Sequence, residues 1–259
     1  QALYDDETYT LSIDSHMRFA PHWDQILIEE LQRCDSEHAV LSCYPPDYRP
    51  EQEQKRSADD QHDAIVMVVG SVLEGGIPRF AGHLLSATPS RPLRGLFAAA
   101  GFHFGPGHLI ENVPTDPAYY FNQEEAALAV KLWTHGYDIY SPTRQVIFHQ
   151  YMNLPHGEAR RPLHWEDHDN WGAIHKQGVE RLLHILNVES ASNLDALRDI
   201  EHYPLGSQRS LNEFMRLSGI DFSSADKTSR AANGEFIAEL NPWFSPDQAT
   251  AAPSIRTVI

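Results

Sequence analysis

The apolar run "AIVMVVGSVL" at residues 64–73 is the feature that most restricts how this chain can fold. Its isoleucine and valines are β-branched, which favours a strand over a helix. A strand that is apolar along most of its length, rather than at every second residue, is typical of burial on both faces. The rest of the chain must therefore supply the elements that cover this strand.

Short β-rich segments elsewhere predict four more strands, and a fifth segment is ambiguous. The four lie at residues 9–13, 39–44, 137–142 and 144–151, whereas residues 80–87 predict either a strand or a turn of helix. Amphipathic patterns predict helices at residues 22–34, 122–136 and 163–186, the second of which ends at Gly136. Alternating strands and helices predict an α/β fold with a mixed central sheet.

The character of the sequence changes after residue 155, where short helical pieces separated by Gly, Pro and Ser replace the strands. We expect a core that carries the site at residues 1–155 and a helical C-terminal extension, packed on that core, at residues 156–259. The polar stretch at residues 49–62 predicts a surface loop.

The composition excludes several classes of protein. A formal net charge of −16 argues against nonspecific binding to nucleic acid or to an anionic membrane surface. A phosphate-bearing ligand would need a cation to mask the local repulsion. The two cysteines, Cys34 and Cys43, do not form a disulfide framework or a zinc ribbon, and they favour a reducing compartment. With no apolar span or signal-peptide pattern, we expect a cytoplasmic protein.

The segment "YTLSIDSH" ends a predicted strand on an acid, a small residue and a histidine. Asp14 and His16 are two residues apart, so they share a face of an extended strand, and ligands of open sheets lie beyond such strand ends. A carboxylate and an imidazole suit Mn²⁺ or a similar divalent ion, with His149 as a third candidate ligand. Chance is the alternative explanation, because the chain has 15 histidines.

Five segments together resemble one glycosyltransferase family: "SIDSHMRF", "RFAGHLL", "GFHFGPGHLIENVPTDP", "FNQEEAALAVKLWTHGYDIYSP" and "RPLHWEDH". This family contains the cytoplasmic enzymes that attach α-linked GlcNAc to hydroxyproline of a ubiquitin-ligase adaptor in protists, and bacterial relatives. The resemblance covers roughly residues 3–175. It implies a GT-A fold, UDP-GlcNAc as donor, Mn²⁺ or Mg²⁺, and transfer with retention at the anomeric carbon.

The resemblance also implies nucleotide-binding strands ahead of the metal motif. Here that motif begins at Asp14, so we expect a chain that lacks those N-terminal strands. An uncovered sheet edge in such a chain would favour a homo-oligomer.

The chain is more distantly similar to the mucin-type polypeptide GalNAc-transferases. They carry a D-x-H metal motif, and a "WGGEN" segment whose Glu precedes a metal-binding His by 25 positions. Here "FNQEE" places Glu124 at the corresponding position, and 149 − 124 = 25 leads to His149. The resemblance thus implies that Asp14, His16 and His149 bind the metal and that Glu124 lies near the sugar and the acceptor.

Glu125 is a candidate for the same role as its neighbour. Asn122 and Gln123 replace the two glycines of the mucin-type motif, so the shape of the loop differs, and Glu125 could share or take the role of Glu124. The alternative is structural, because two acids at the start of a helix interact favourably with the helix dipole.

Further residues are candidates for binding the sugar nucleotide. Arg18 could pair with the pyrophosphate, and Ser15 is either a ligand contact or a turn former. Gly105 and Gly107 would let the backbone approach a sugar ring closely, with His103 as either a ligand contact or a structural hydrogen-bonding group.

The dense cluster at residues 164–168 is a candidate closing loop. His164 and Trp165 would bind the acceptor or UDP, with the indole as a stacking face. A second metal held by His164 and His168, or merely the packed start of a helix, are the alternatives.

With these residues, the resemblance implies a metal-dependent retaining transferase that moves GlcNAc from UDP-GlcNAc to a hydroxyl, such as hydroxyproline, Ser or Thr of a protein. Two other classes fit the same residues. Two histidines and a carboxylate also suit a non-haem iron oxygenase. A catalytically impaired binding module is the other alternative, because we expect the nucleotide-binding strands to be missing.

Overall fold

The computed structural model describes residues 4–48, 64–85, 88–151, 166, 169–224, 226 and 228–244. The strands are β1 Tyr9–Ile13, β2 Met17–Phe19, β3 Ala39–Ser42, β4 Ile65–Val72, β5 Pro78–Leu84, β6 Leu93–Gly95, β7 Phe102–Pro106, β8 Asp138–Ser141 and β9 Ile147–His149. The α-helices are α1 Trp23–Gln32, α2 Leu109–Asn112, α3 Asn122–Thr134, α4 Trp171–Ile185, α5 Leu211–Ser218, α6 Ser229–Asn233 and α7 Glu235–Leu240.

Five strands form a mixed central sheet in the order β1-β7-β3-β8-β6. Only β3 and β8 are parallel neighbours in it, and the other pairs are antiparallel. Two further pairs, β2 with β9 and β4 with β5, form separate two-stranded sheets. The predicted α/β fold with a mixed central sheet is confirmed.

The apolar run at residues 64–73 contains β4. Its central residues, Val66 to Val69, are each at most 4% exposed, so the predicted burial on both faces is confirmed. The strand pairs with β5 as an antiparallel ribbon, so residues 80–84 of the ambiguous segment form a strand, and Ser86 and Ala87 lie outside the described residues. The register shifts between Val69 and Ser71, where a β-bulge bends the ribbon.

The largest hydrophobic core joins the β4–β5 ribbon to α3, α4 and the C-terminal helices. Phe97 lies at its centre, with ring centroids 4.6 Å from Phe80, 5.2 Å from Phe236 and 6.4 Å from Phe214. Residues on both sides of position 155 therefore pack together. The division into a core and an extension stays a prediction.

Helix α3 is built from small and branched apolar residues that face the core, and it ends where the sequence predicted. Gly136 follows it with φ of 87°, the left-handed conformation that closes many helices. The helices predicted at 22–34 and 163–186 are observed at α1 and α4, although residues 163–165 lie outside the described residues. The loop predicted at 49–62 also lies outside them.

Both cysteines are free, and burial raises the pKa of the Cys43 thiol to about 12. Among the helices in the described part of the chain, none has both the length and the apolar character needed to cross a membrane.

Candidate functional site

The turn that follows β1 brings the D-x-H motif against β7 and β9. Asp14 extends the β1–β7 pairing, because its backbone N–H donates to the carbonyl of Gly101 at 3.1 Å. His16 reverses the chain with φ of 65°, a left-handed conformation that is uncommon outside glycine. The chain continues as β2, whose Met17 pairs with His149 of β9. Asp14 and His149, which are distant in sequence, are thereby held side by side.

Asp14 and His149 make the closest contact in this site. Oδ2 of Asp14 lies 3.3 Å from Nε2 of His149, whose residue is 5% exposed. The contact lacks hydrogen-bond geometry, and neither ring nitrogen of His149 has a hydrogen-bond partner in the described part of the chain. Such buried unpartnered nitrogens are rare. A divalent cation would satisfy this one, since two ligand atoms about 2.1 Å from one ion at a right angle are about 3 Å apart.

Ser15 holds the side chains on both sides of it. Its backbone N–H donates to Oδ1 of Asp14 at 2.7 Å, and its hydroxyl lies 2.7 Å from Nδ1 of His16. Nε2 is then the His16 nitrogen left for a metal, and an outer hydrogen bond of this kind commonly orients a metal-binding histidine. Ser15 therefore supports the ligands as a turn former does.

Of the three predicted ligands, Asp14 and His149 form a close pair, and His16 lies on the adjoining turn. In the part of the chain that the structure describes, one set of three potential ligands lies within 4.8 Å of one another, and all three are exposed: Asp199, Glu201 and His202. His16 is therefore not within that distance of both Asp14 and His149. Its role as a ligand stays a prediction.

Two adjacent acids from the first turn of α3 face this region, and both are partly buried. Burial and the charge of Asp14 raise the pKa of Glu124, so these two carboxylates are close enough to repel. Glu125 accepts hydrogen bonds from the hydroxyl of Tyr44 at 2.5 Å and from the backbone N–H of Ala100 at 3.2 Å. Burial raises the pKa of Glu125 to about 7 even though both hydrogen bonds favour the charged form.

Phe121, just before α3, has φ of 64° and ψ of −118° and is 50% exposed. A bulky side chain in this region of φ/ψ space is strained, and such strain is concentrated at functional sites. Phe121 comes directly before Asn122 and Gln123, the two residues that replace the glycines of the mucin-type motif. Sequence reasoning missed it, because phenylalanine gives no signal for a positive φ.

Two of the other predicted ligand-binding residues, Arg18 and His103, lie on strands that adjoin the D-x-H turn. Arg18 is exposed, donates to the carbonyl of Met17 at 3.0 Å, and lies over the ring of Tyr48 with 5.4 Å to its centroid. His103 pairs with Ser12 of β1, and its Nδ1 is buried without a hydrogen-bond partner among the described residues. Burial lowers the pKa of His103 to about 4, so this imidazole is neutral at pH 7.

The two predicted glycines are approached closely by the chain itself. A Cβ on Gly105 would lie 3.3 Å from a methyl carbon of Val40 and 3.4 Å from one of Leu109. A Cβ on Gly107 would lie only 1.7 Å from the carbonyl oxygen of Glu7. The close packing that we attributed to a sugar ring is thus made by protein atoms, and any contact with a ligand stays a prediction. His164 and Trp165 lie outside the described residues.

Sequence reasoning also missed the segment that supports His149 from its other side. Pro46 accepts from the backbone N–H of His149 at 3.0 Å, and Tyr48 donates to the His149 carbonyl at 2.8 Å. The ring of Tyr151 lies edge-on to the imidazole with centroids 4.2 Å apart. The signal was the Pro45-Pro46 pair, which cannot continue a helix and favours extended backbone.

A separate cavity of about 210 Å³ is lined by arginines and aromatic rings, remote in sequence from this site. Its cations are already paired, Arg91 with Asp35 and Arg94 with Asp138. Because its polar groups have protein partners, we place the candidate site at Asp14 and His149 rather than in this cavity.

Comparison with known proteins identifies the family of the chain. A search of curated proteins gave no match. The model of a glycosyltransferase family, described as glycosyltransferase (GlcNAc), matches residues 1–224. The match includes Asp14, the first turn of α3 and His149, and it extends through α5. The chain therefore belongs to the GlcNAc glycosyltransferase family.

Proposed function

We propose that this chain is a metal-dependent, retaining glycosyltransferase of GT-A type that transfers GlcNAc from UDP-GlcNAc to a hydroxyl acceptor. Family membership supports glycosyl transfer. The observation that carries the metal dependence is the unpartnered Nε2 of His149, 3.3 Å from the carboxylate of Asp14. The preferred ion is Mn²⁺ or Mg²⁺, which accept carboxylate, imidazole and phosphate ligands together.

The charge of the site explains why a cation is required. A nucleotide diphosphate is an anion, and the chain carries a net charge of −16 with the carboxylates of Asp14 and Glu124 close together. When bound, a divalent cation supplies Lewis-acid stabilisation of the leaving diphosphate. Asp14 and His149 would hold that ion, with His16 as the third ligand and Ser15 orienting two of them. Arg18 would contact the pyrophosphate.

The reaction breaks the bond between the sugar C1 and the β-phosphate oxygen and forms a bond between C1 and the acceptor oxygen. The acceptor attacks from the face that UDP leaves, and its proton passes to the departing phosphate oxygen. Glu124 positions the acceptor hydroxyl and shields the positive charge that develops at C1. His103, Gly105 and Gly107 would border the sugar, while His164 and Trp165 would close over the acceptor or UDP.

The acceptor that we propose is a hydroxyproline, Ser or Thr side chain of a cytoplasmic protein, as the family resemblance implies. A non-haem iron oxygenase would use the same ligand types, but family membership favours glycosyl transfer. A binding module without turnover is an outcome of the test below.

The test measures UDP released from UDP-GlcNAc by the purified chain, with Mn²⁺ and with EDTA. We expect Mn²⁺-dependent release that His149→Ala abolishes. His38→Ala is the control. His38 is an exposed residue directly before β3, where its imidazole contacts the ring of Tyr137, away from the D-x-H turn. Release that persists in EDTA, or an equal loss in both variants, would contradict the assignment. Mn²⁺ binding without any UDP release would identify a binding module.

A further inference from the structure

We propose that Glu125 is a positioning residue that sets the spacing between Asp14 and His149, rather than a group that touches substrate. The inference rests on the proposed function, in which those two residues hold the metal. It separates the roles of two adjacent acids for which the sequence offered one shared role.

One oxygen of Glu125 is connected to Asp14. Oε1 accepts from the backbone N–H of Ala100 at 3.2 Å, and the next residue, Gly101, accepts from the backbone N–H of Asp14 at 3.1 Å. The connection is tight, because a Cβ on Gly101 would lie 3.2 Å from the Cβ of Asp14. A shift of the Ala100 amide therefore moves the carbonyl that holds the backbone of Asp14.

The other oxygen is connected to His149. Oε2 accepts from the hydroxyl of Tyr44 at 2.5 Å. Tyr44 begins the extended segment that continues through Pro46 and Tyr48, both of which hydrogen-bond to the backbone of His149. The carboxylate of Glu125 thus lies between the segment that carries Asp14 and the segment that supports His149.

Both oxygens of Glu125 accept from fixed protein donors, which leaves this carboxylate poorly placed to orient an acceptor as well. Burial and the charge of Asp14 raise the pKa of Glu124, which indicates that Glu124 lies near Asp14. Residues that hydrogen-bond directly to metal ligands typically change metal affinity by about 10- to 100-fold when they are replaced, and Glu125 acts through further contacts on each side.

The decisive measurement is the Mn²⁺ dissociation constant, obtained by calorimetric titration of wild type, Glu125→Gln and Tyr44→Phe. In Glu125→Gln one amide nitrogen opposes a donor, so we expect Mn²⁺ binding weakened by about tenfold, the lower end of that range. Tyr44→Phe removes only the hydroxyl on the His149 side and keeps the carboxylate. We expect it to weaken Mn²⁺ binding in the same direction, which keeps the proposal testable should Glu125→Gln fold poorly.

Glu30→Gln is the control, because that carboxylate also accepts from one backbone N–H and one hydroxyl, both of Thr143, although it forms an ion pair with Arg33 as well. It should lower the melting temperature and leave the Mn²⁺ affinity unchanged. If wild type binds Mn²⁺ and both Glu125→Gln and Tyr44→Phe bind it with the same dissociation constant, the inference is overturned and the proposed function is left intact. A wild-type chain that does not bind Mn²⁺ would overturn both.

Discussion

Two groups next to the candidate site should impose opposite pH dependences on the stability of the fold. Burial raises the pKa of Glu125 from 4.5 to about 7, so between these values the folded chain binds more protons than the unfolded chain. Stability from this group is therefore present below pH 4.5 and is lost as the pH rises to about 7. At about 1.4 kcal/mol per pH unit, the loss is at most about 3 kcal/mol.

His103 acts in the other direction. Burial lowers its pKa from 6.5 to about 4, so the unfolded chain binds more protons between these values. Its contribution is present above pH 6.5 and is lost as the pH falls to about 4, again by at most about 3 kcal/mol. The two slopes nearly cancel between pH 4.5 and 6.5, and wild type alone would not reveal them.

Single variants separate the two contributions. Relative to wild type, Glu125→Gln should gain stability as the pH rises from 4.5 to 7, and His103→Gln should lose it over about the same interval. The assay is urea unfolding at several pH values with EDTA present, reported as the difference in unfolding free energy from wild type, which removes the contributions of all other titrating groups. Differences that do not vary with pH, or that have the same sign of slope, would refute this reasoning.

Three other substitutions test features of the fold. Burial lowers the pKa of Lys131 from 10.5 to about 8, so wild type gains stability as the pH rises between these values. Lys131→Met lacks this gain, so its unfolding free energy in urea should fall relative to wild type by up to about 3 kcal/mol over that interval. Gly107→Ala should lower the unfolding free energy by more than about 3 kcal/mol in the same assay, because its Cβ would overlap the carbonyl of Glu7. Gly95→Ala is the control: a Cβ there meets nothing within 4 Å, so the unfolding free energy should change by less than about 1 kcal/mol. Phe121→Gly should raise the melting temperature by relieving about 1–3 kcal/mol of backbone strain, and a lowered melting temperature would contradict the strain assignment.

Local patterns were sufficient to predict most elements of the fold. The apolar run of β4 specified a buried strand because no half-exposed strand would be apolar at consecutive positions. Helix α3 was recognisable from its apolar face and from Gly136, whose left-handed conformation ends it. The pairing of β4 with β5, apart from the central sheet, was not predicted, because a continuous apolar strand does not specify its neighbour.

The candidate site was only partly accessible to sequence reasoning. Asp14 and His149 were singled out by their positions at predicted strand ends and then by a resemblance, and their 3.3 Å contact depends on strand pairing that spacing alone does not give. The hydrogen bond from Tyr44 to Glu125 spans 81 positions in sequence. Such contacts follow from tertiary structure, so no local pattern could have distinguished the surroundings of Glu125 from those of Glu124.

The site concentrates negative charge at a place where the fold can tolerate it. Glu124 and Glu125 lie in the first turn of α3, where the positive end of the helix dipole partly compensates them. That compensation is incomplete, because the pKa of each is still raised. The stability that the acids cost must come from the hydrophobic core around Phe97, where most of the apolar burial lies. In the proposed function, a bound cation would remove part of this repulsion and so couple ligand binding to folding, and the separation that we propose Glu125 maintains between Asp14 and His149 would determine how strongly.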